Sequence, residues 1–222
     1  MERFAIAIDG PAGSGKSTAA KEVAKRLGMV YVDTGAMYRT VALACIEAGV
    51  STAEEAAVLS VLNSMDMRIE PREDGQRIFF DGKDVTAEIR TPEIGKAASE
   101  VAAYQKVRER LVEIQQGLAR RQSVVMDGRD IGTVVLPDAE LKIYLDAGVE
   151  ERAKRRLGEL REQGRAGELS EVMEKIRLRD EADKNRAHSP LRMAEDAVLL
   201  DSTGMSAEEV VQAILAEAEK AR

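Results

Sequence analysis

A short glycine-rich segment, GPAGSGKS at residues 10–17, directly follows the apolar run RFAIAID. Glycines let the backbone bend closely enough for several N–H groups to surround a polyphosphate. The helix predicted to follow directs the positive end of its dipole toward the same anion. The order of strand, loop and helix therefore predicts a phosphate-binding loop at the edge of an α/β sheet.

Two side chains of this loop suit the chemistry of a bound polyphosphate. Lys16 can reach the outer phosphates, and the hydroxyl of Ser17 can ligate Mg²⁺. A glycine turn without a ligand is the alternative, but the flanking strand and helix favour the phosphate loop. The predicted ATP and phosphate contacts are Gly10, Pro11, Ala12, Gly13, Ser14, Gly15, Lys16, Ser17 and Thr18.

The rest of the pattern predicts one α/β domain over residues 1–222. Apolar runs predict strands at 3–9, 29–33, 123–126, 141–145 and 197–201. Segments with helical spacing predict helices at 18–28, 34–50, 52–63, 92–121, from about 149, 170–186 and 206–220. Residues 64–91 alternate polar and apolar side chains and contain Asp74-Gly75 and Asp81-Gly82, which predicts an inserted antiparallel β ribbon.

Composition limits the partners of such a domain. A formal net charge of -7, from 33 basic and 40 acidic residues, argues against a nucleic-acid polymer as ligand. The apolar runs are too short for a membrane helix, and the N-terminal segment lacks the pattern of a secretory signal. The single cysteine, Cys45, is typical of a reducing compartment, so we expect a cytoplasmic protein, and a monomer by default.

The segment DTGAMYR, residues 33–39, suggests a second binding site. Asp33 or Thr34 can cap the helix that follows, which places Tyr38 and Arg39 about one turn from the helix N-terminus. An arginine in this position can bind a phosphate in bidentate fashion. The alternative is a capped helix with two solvated side chains. Asp33 is also a secondary candidate for a metal ligand.

A third charged segment, Asp127-Gly128-Arg129-Asp130, lies between two predicted strands. Two carboxylates here bracket one guanidinium, which could act on a substrate or form only a salt-bridged turn. Because ligands gather at the carboxyl ends of strands in such sheets, Asp127 is a candidate to support Mg²⁺ directly or through water. The roles of the other charges stay open on the residues alone.

The segment RLRDEADKNRA places Arg179, Asp183 and Arg186 at positions i, i+4 and i+7. On a helix these residues share one face. A surface ladder of ion pairs is the simpler interpretation of this spacing when it is taken by itself.

The phosphate loop with no N-K-x-D base-reading motif, in a chain of 222 residues, favours a small kinase. The segments IDGPAGSGKS, DTGAMYR, EIRTPEIGKAAS, DGRDIGTVVLPDA and RDEADKNRA together resemble bacterial cytidylate kinases, which are nucleoside monophosphate kinases. The resemblance implies the P-loop NTPase type of fold, with a parallel five-stranded sheet flanked by helices. It also implies a monophosphate-binding β insert, here 64–91, and a helical lid, here 151–168.

The same resemblance implies that the protein transfers the γ-phosphoryl group of ATP to CMP or dCMP with Mg²⁺, in pyrimidine nucleotide metabolism. Ser99, Arg108 and Asp130 match the residues that read cytosine, and Arg39, Arg129 and Arg186 match those that hold the acceptor phosphate. Arg179 and Asp183 match the sugar contacts. The full set of implied CMP contacts is Thr34, Gly35, Tyr38, Arg39, Ser99, Arg108, Gly128, Arg129, Asp130, Arg179, Asp183 and Arg186.

The basic helix that leads into the lid supplies candidates for contact with the transferred phosphoryl group. Phosphoryl transfer depends mainly on positioning and charge neutralisation, so arginines that close over ATP would serve it. With Lys16 and Arg129, the catalytic candidates are Arg152, Arg155 and Arg156, which the spacing cannot rank. A solvated helix face is the alternative for each of these three.

Two other functions are compatible with the loop alone. A shikimate- or gluconate-type kinase would phosphorylate a hydroxyl, which an acceptor site rich in arginines argues against. A regulatory nucleotide-binding protein would need no second nucleotide pocket, so the implied acceptor residues argue against that function as well.

Overall fold

The computed structural model describes residues 3–72, 75–162 and 164–222. Strands and helices alternate along most of this chain. The strands are β1 (Ala5–Asp9), β2 (Val30–Asp33), β3 (Met67–Arg72), β4 (Gly75–Phe80), β5 (Lys83–Asp84), β6 (Val124–Gly128), β7 (Leu141–Asp146) and β8 (Val198–Asp201). The helices are α1 (Lys16–Leu27), α2 (Thr34–Glu47), α3 (Glu55–Ser64), α4 (Pro92–Val101), α5 (Gln105–Ala119), α6 (Val149–Glu162), α7 (Leu169–Asn185) and α8 (Ala207–Lys220).

Five strands form a parallel sheet in the order β2-β6-β1-β7-β8, which confirms the predicted fold class. The carboxyl ends of three neighbouring strands are in register, since Asp9 pairs with Gly128 and Asp33 pairs with Asp127. The segments that follow β1, β2 and β6 are the three charged or glycine-rich motifs of the sequence. The topology therefore brings all three motifs to one edge of the sheet.

Alternation along each strand sends apolar side chains to two helical layers. Ile6 and Ile8 of β1 pack toward α1 and α8, while Ala7 belongs to the core on the opposite face, where α5 lies. Helices α6 and α7 share a smaller apolar contact that includes Leu157 and Ile176. Both helices also make polar contacts with the phosphate loop, through Arg152 of α6 and Asp180 of α7.

The predicted insert is an antiparallel sheet of β3, β4 and β5, as expected. It packs with α2, α3 and α4 around a second apolar core that contains Ile78 and Val85. The proposed Asp74-Gly75 turn includes residue 74, which lies outside the described residues. The buried Gln76 side chain accepts a hydrogen bond from the backbone N–H of Asp33 at 2.9 Å, which fixes the insert to the end of β2.

The structure differs from the sequence prediction at three places. The helical pattern predicted over 92–121 forms two helices, α4 and α5, separated by a turn at 102–104 that was not predicted. Helix α7 ends at Asn185, and Arg186 already has an extended backbone, so it does not share the helix face as predicted. A π-helical turn over Ile131–Val135 was not expected from the sequence.

The unexpected π-helical turn has a tertiary cause. The buried carboxylate of Asp9, on the neighbouring strand β1, accepts hydrogen bonds from the backbone N–H groups of Ile131 at 2.8 Å and Gly132 at 2.7 Å. Because the partner is 122 residues away in the chain, no local pattern can show it.

Among the helices of the described ranges, none has the length and apolar character needed to cross a bilayer.

Candidate active site

The phosphate loop has the backbone shape that the glycines predicted. Gly10, Gly13 and Gly15 all have positive φ angles, of 149°, 77° and 90°. A Cβ atom on Gly10 would lie 2.0 Å from the carbonyl oxygen of Leu145 on β7. A side chain at this position would therefore push the loop away from the sheet edge, so only glycine allows the observed approach.

Lys16 lies buried inside this loop rather than in solvent. Its Nζ donates to the carbonyl oxygen of Pro11 at 2.7 Å and to Oγ of Ser14 at 3.3 Å. Burial, together with the positive charge of Arg129, lowers the pKa of Lys16 to about 7. A polyphosphate beside this amine would favour its charged form, so the loop is suited to bind an anion.

Ser17 and Asp127 lie side by side at the start of α1 and the end of β6. The Ser17 hydroxyl donates to Oδ2 of Asp127 at 2.7 Å, and the Tyr31 hydroxyl donates to Oδ1 at 2.9 Å. Burial and the nearby Asp33 carboxylate raise the pKa of Asp127. Bringing a cation to this pair would relieve the cost of that buried negative charge.

This oxygen pair fits Mg²⁺ but does not surround it. Mg²⁺ is commonly held by one or two carboxylates together with substrate phosphates and water. Within residues 3–72, 75–162 and 164–222 no three His, Cys, Asp or Glu side chains are grouped as a metal site. Ser17 and Asp127 are therefore suited to a metal that arrives with a polyphosphate. The exposed Thr18 directly follows Ser17 in the chain.

Asp33 organises the start of α2. Its carboxylate caps the helix by accepting from the N–H of Ala36 at 2.9 Å, and it also accepts from Arg39 at 2.8 Å and Arg90 at 2.9 Å. Burial works against ionisation, but these two arginines outweigh it and lower the pKa of Asp33. Its oxygens are thus engaged with arginines, and a role as metal ligand stays a prediction.

The residues next to Asp33 lie tightly against β6. The Thr34 hydroxyl donates to the carbonyl oxygen of Asp127 at 2.8 Å. A Cβ atom on Gly35 would lie 3.2 Å from Nη1 of Arg39, and one on Gly128 would lie 2.7 Å from Oγ1 of Thr34. Gly128 therefore allows Thr34 to lie close to β6, and Gly35 leaves room for the Arg39 side chain of its own helix.

Arg108 and Asp130 form a buried ion pair, with only 4% and 7% of their side chains exposed. Arg108 comes from α5 and also donates to the carbonyl oxygen of Ala102 at 3.1 Å, at the end of α4. The Arg108 guanidinium lies 5.4 Å from the centre of the Tyr38 ring. Ser99 lies on the exposed side of α4, where its hydroxyl donates to Gly95 O at 3.2 Å.

A second group of charges connects β6 with the end of α7. Nε of Arg129 donates to Asp183 at 2.7 Å. Burial opposes both charges, but each partner stabilises the other, which raises the pKa of Arg129 and lowers the pKa of Asp183. Desolvation in this cleft and repulsion from Arg129 lower the pKa of Arg179 to about 10. Arg186 lies 3.8 Å from Asp130 and donates to Ser189 O at 2.6 Å.

Three arginines of this region keep a buried N–H without an acceptor. These atoms are Nε of Arg39, Nε of Arg108 and Nη2 of Arg186, and none has a hydrogen-bond partner among the described residues. Buried donors are rarely left without an acceptor, because the desolvation cost is not recovered. A ligand with several acceptor oxygens would satisfy them.

The three arginines predicted for the lid have different surroundings. Arg152 is buried and donates to the carbonyl oxygens of Ala147 and Ala12, and Arg155 donates to the carbonyl oxygens of Ser14 and Ser202. Arg156 keeps 41% of its side chain exposed and pairs with Glu159 of its own helix. The structure thus separates them, since Arg152 and Arg155 are engaged with the loop while Arg156 extends from the helix toward solvent.

Sequence reasoning missed three residues that the structure brings to this edge, namely Asp9, Arg90 and Asp180. Arg90 belongs to the segment EIRTPEIGKAAS, but its partner Asp33 lies 57 residues away. Asp180 lies directly beside Arg179 in the sequence and contacts the phosphate loop. Of the three, only Asp9 could have been suggested by the sequence, because it directly precedes the first glycine of the loop.

Comparison with known proteins identifies the family. The family model described as cytidylate kinase matches residues 6–220. The chain belongs to the cytidylate kinase family.

Curated cytidylate kinases agree with this family over nearly their whole length. The protein of Caldicellulosiruptor bescii is 49% identical over 97% of this chain and 95% of its own. The cytidylate kinase of Desulfitobacterium hafniense is 50% identical over 95% of this chain and 90% of its own. A crystal structure of an uncharacterized protein from Eubacterium ventriosum has a TM-score of 0.56 at 12% identity, covers 98% of this chain and 99% of its own, and shows the fold alone.

Proposed function

We propose that this cytidylate kinase family member transfers the γ-phosphoryl group of ATP to CMP, and also to dCMP, by in-line displacement in the presence of Mg²⁺. The observation that carries the proposal is the set of three buried guanidinium nitrogens, on Arg39, Arg108 and Arg186, that have no hydrogen-bond acceptor among the described residues. They lie at the same edge of the sheet as the phosphate loop. An anionic acceptor with a polar base supplies the acceptors that these groups lack.

Cytosine is complementary to the Arg108–Asp130 pair. The base offers an N4 amine as donor beside the N3 and O2 acceptors. Asp130 can accept from the amine, while Arg108 and Ser99 can donate to the ring acceptors. Uracil would place an acceptor, O4, against the Asp130 carboxylate, so the buried pair disfavours UMP by leaving polar groups unpaired.

Arginines near the start of α2 and directly after β6 and α7 hold the acceptor phosphate in this proposal. We assign the acceptor phosphate to Arg39, Arg129 and Arg186, because guanidinium groups bind phosphate oxygens in a planar, bidentate manner. The sugar is contacted by Arg179 and Asp183. The remaining expected contacts come from Thr34, Gly35, Tyr38 and Gly128.

Donor binding belongs to the loop over 10–18. Its backbone N–H groups and Lys16 hold the ATP phosphates, and the start of α1 adds its positive dipole end. Ser17 and Asp127 would hold Mg²⁺, with Asp33 as the secondary candidate. Bound Mg²⁺ supplies neutralisation of the charge on the phosphate oxygens.

Arg156 is the lid arginine that we assign to the transferred phosphoryl group. Arg152 and Arg155 donate to carbonyl oxygens of the loop, so they hold the loop in place. Arg156 keeps 41% of its side chain exposed and, among the described residues, forms an ion pair only with Glu159 of its own helix, which supports its assignment to a ligand rather than to the loop. Closure of the lid segment 151–168 and of the insert 64–91 would exclude water from ATP.

No general base is needed for this reaction. The acceptor is a phosphate dianion, which can attack the γ-phosphorus atom without losing a proton. The protein therefore contributes alignment and charge neutralisation, which together account for most of the catalysis of phosphoryl transfer. This requirement agrees with the abundance of arginine around the cleft.

A coupled assay of ADP formation tests the proposal. The purified protein is supplied with ATP and Mg²⁺ and, in separate reactions, with CMP, dCMP, UMP, AMP or shikimate. We expect the highest kcat/KM with CMP and dCMP. A preference for AMP or shikimate, or ADP formation that no acceptor stimulates, would exclude the proposed function.

A further inference from the structure

Arg152 of α6 and Asp180 of α7 form a buried ion pair that the proposed chemistry does not use. Nη1 of Arg152 lies 2.6 Å from Oδ2 of Asp180, and their side chains are only 4% and 10% exposed. Two charges are rarely removed from water to this extent unless further hydrogen bonds satisfy them. Those further bonds indicate what the pair does.

Both partners bind the same residue of the phosphate loop. Oδ1 of Asp180 accepts from the backbone N–H of Ala12 at 3.3 Å, and Nη1 of Arg152 donates to the carbonyl oxygen of Ala12 at 2.9 Å. The ion pair therefore holds the peptide groups on both sides of Ala12. Nε of Arg152 donates to Ala147 O at 2.8 Å, which ties the same guanidinium to the end of β7.

Asp180 also belongs to the helix that carries the acceptor side of the site. Arg179 precedes it directly, and Asp183 lies one helical turn later, where it pairs with Arg129. A shift of α7 that follows acceptor binding would thus move the carboxylate that holds Ala12. The donor loop and the acceptor residues are connected through a single helical turn.

We propose that the Arg152–Asp180 ion pair is a positioning element that couples acceptor binding to the phosphate loop. When an acceptor nucleotide fixes α7, the pair fixes the peptide groups around Ala12 in the orientation that binds the donor phosphates. The donor then binds more tightly to the acceptor-bound protein, and by thermodynamic reciprocity the acceptor binds more tightly to the donor-bound protein. This inference rests on the proposed function.

Calorimetry with ADP and CMP can measure this coupling without turnover, because neither nucleotide carries a γ-phosphoryl group that could be transferred. The dissociation constant of ADP with Mg²⁺ is determined with and without saturating CMP. The variants are Asp180→Asn, which keeps an acceptor for the Ala12 N–H but loses the charge, and Asp180→Ala, which loses both. Glu181→Ala, an exposed neighbour on the same helix, is the matched control.

For the wild-type protein we expect CMP to tighten ADP binding at least about fivefold, within the usual range of coupling between sites. Asp180→Ala should bring this factor close to one, Asp180→Asn should give an intermediate factor, and Glu181→Ala should keep the wild-type factor. The affinity for CMP alone should change less than about twofold. A merely structural role would lower the melting temperature without changing the factor.

The inference is overturned by a wild-type factor of one, or by an unchanged factor in both Asp180 variants. If Asp180→Ala does not fold, Asp180→Asn and Arg152→Lys decide by the same measurement. If the wild-type protein fails to bind CMP, the proposed function is wrong. The affinity for ADP alone then tests whether the contact between Asp180 and Ala12 positions the phosphate loop. Weaker ADP binding in the Asp180 variants than in Glu181→Ala would support the contact, and equal binding would exclude it.

Discussion

The phosphate loop consists of consecutive residues, 10–18, whereas the proposed acceptor pocket takes its side chains from α2, α4, α5, α7 and the segment that follows β6. The loop offers mainly backbone N–H groups, and its shape depends on glycines with positive φ. The pocket offers side-chain charges that meet only after the chain has folded. One region is therefore specified locally and the other by topology.

Charge is also handled differently in the two regions. The loop has one buried cation, Lys16, whose partners are a carbonyl oxygen and a hydroxyl, and burial lowers its pKa. In the pocket, Arg108 and Arg129 each pair with a carboxylate. The pocket is thus preorganised by its own ion pairs, while the loop depends on its ligand to stabilise the charge of Lys16.

The largest expected effect is the fall in kcat when Lys16 of the phosphate loop is replaced. Lys16→Met removes the buried cation that we assign to the donor phosphates and should lower kcat by about 10³-fold, comparable to loss of a major electrostatic contact to the transition state. Steady-state kinetics with ATP and CMP would measure it. Lys25→Met, in the last turn of α1, is the control, and a kcat near wild type for Lys16→Met would contradict the role of this lysine.

The second largest effect is a fall in kcat when an arginine of the proposed lid is replaced. The proposed lid is part of neither the phosphate loop nor the acceptor pocket. Arg156→Ala should lower kcat by about 10²-fold while KM for CMP changes less than about twofold, because the lost charge acts on the transferred group. Arg161→Ala, exposed in the last turn of the same helix, is the matched control. Equal kinetics for the two variants would remove Arg156 from the site.

A smaller effect is expected in the pocket. Asp130→Ala should reduce the preference for CMP over UMP by roughly 1–3 kcal/mol, since the carboxylate opposite the N4 amine is lost. The ratio of kcat/KM for the two nucleotides measures this, with Asp138→Ala as an exposed control. The variant leaves Arg108 buried without its charge partner, so urea unfolding should show reduced stability. An unchanged ratio would mean that Asp130 does not read the base.

The smallest expected effect is the uptake of a proton by Lys16 of the loop when ATP binds. The pKa of Lys16 is lowered to about 7 in the free protein, so at pH 8 most of the amines are neutral. Because ATP favours the charged amine, binding at pH 8 should take up as much as about one proton, and affinity should fall as the pH rises above 7. Calorimetry in two buffers with different protonation enthalpies measures the uptake.

Lys16→Arg is the control for this measurement, since a guanidinium stays charged at pH 8. The variant should show a smaller proton uptake than the wild-type protein. Heats that do not depend on the buffer in the wild-type protein would show that Lys16 is already charged before ATP binds.

Local patterns were sufficient for the parts of the molecule that depend on neighbouring residues. The parallel sheet, the β insert and the phosphate loop follow from apolar runs, alternation and glycines in positions where the backbone needs them. The resemblance of five short segments to cytidylate kinases also identified the family that the comparisons show. Helix ends were less well predicted, as at Arg186, because tertiary contacts decide where a helix stops.

Only the tertiary structure decided how the charges are shared. Asp33 holds Arg39 and Arg90, and Arg152 with Asp180 holds Ala12, although the partners lie up to 168 residues apart. The sequence shows which residues are charged, but an ion pair depends on distance and burial, and both arise only when strands and helices pack. The sequence by itself therefore determined the phosphate loop and the type of fold, and packing determined which charges are paired and which buried nitrogens lack a hydrogen-bond acceptor.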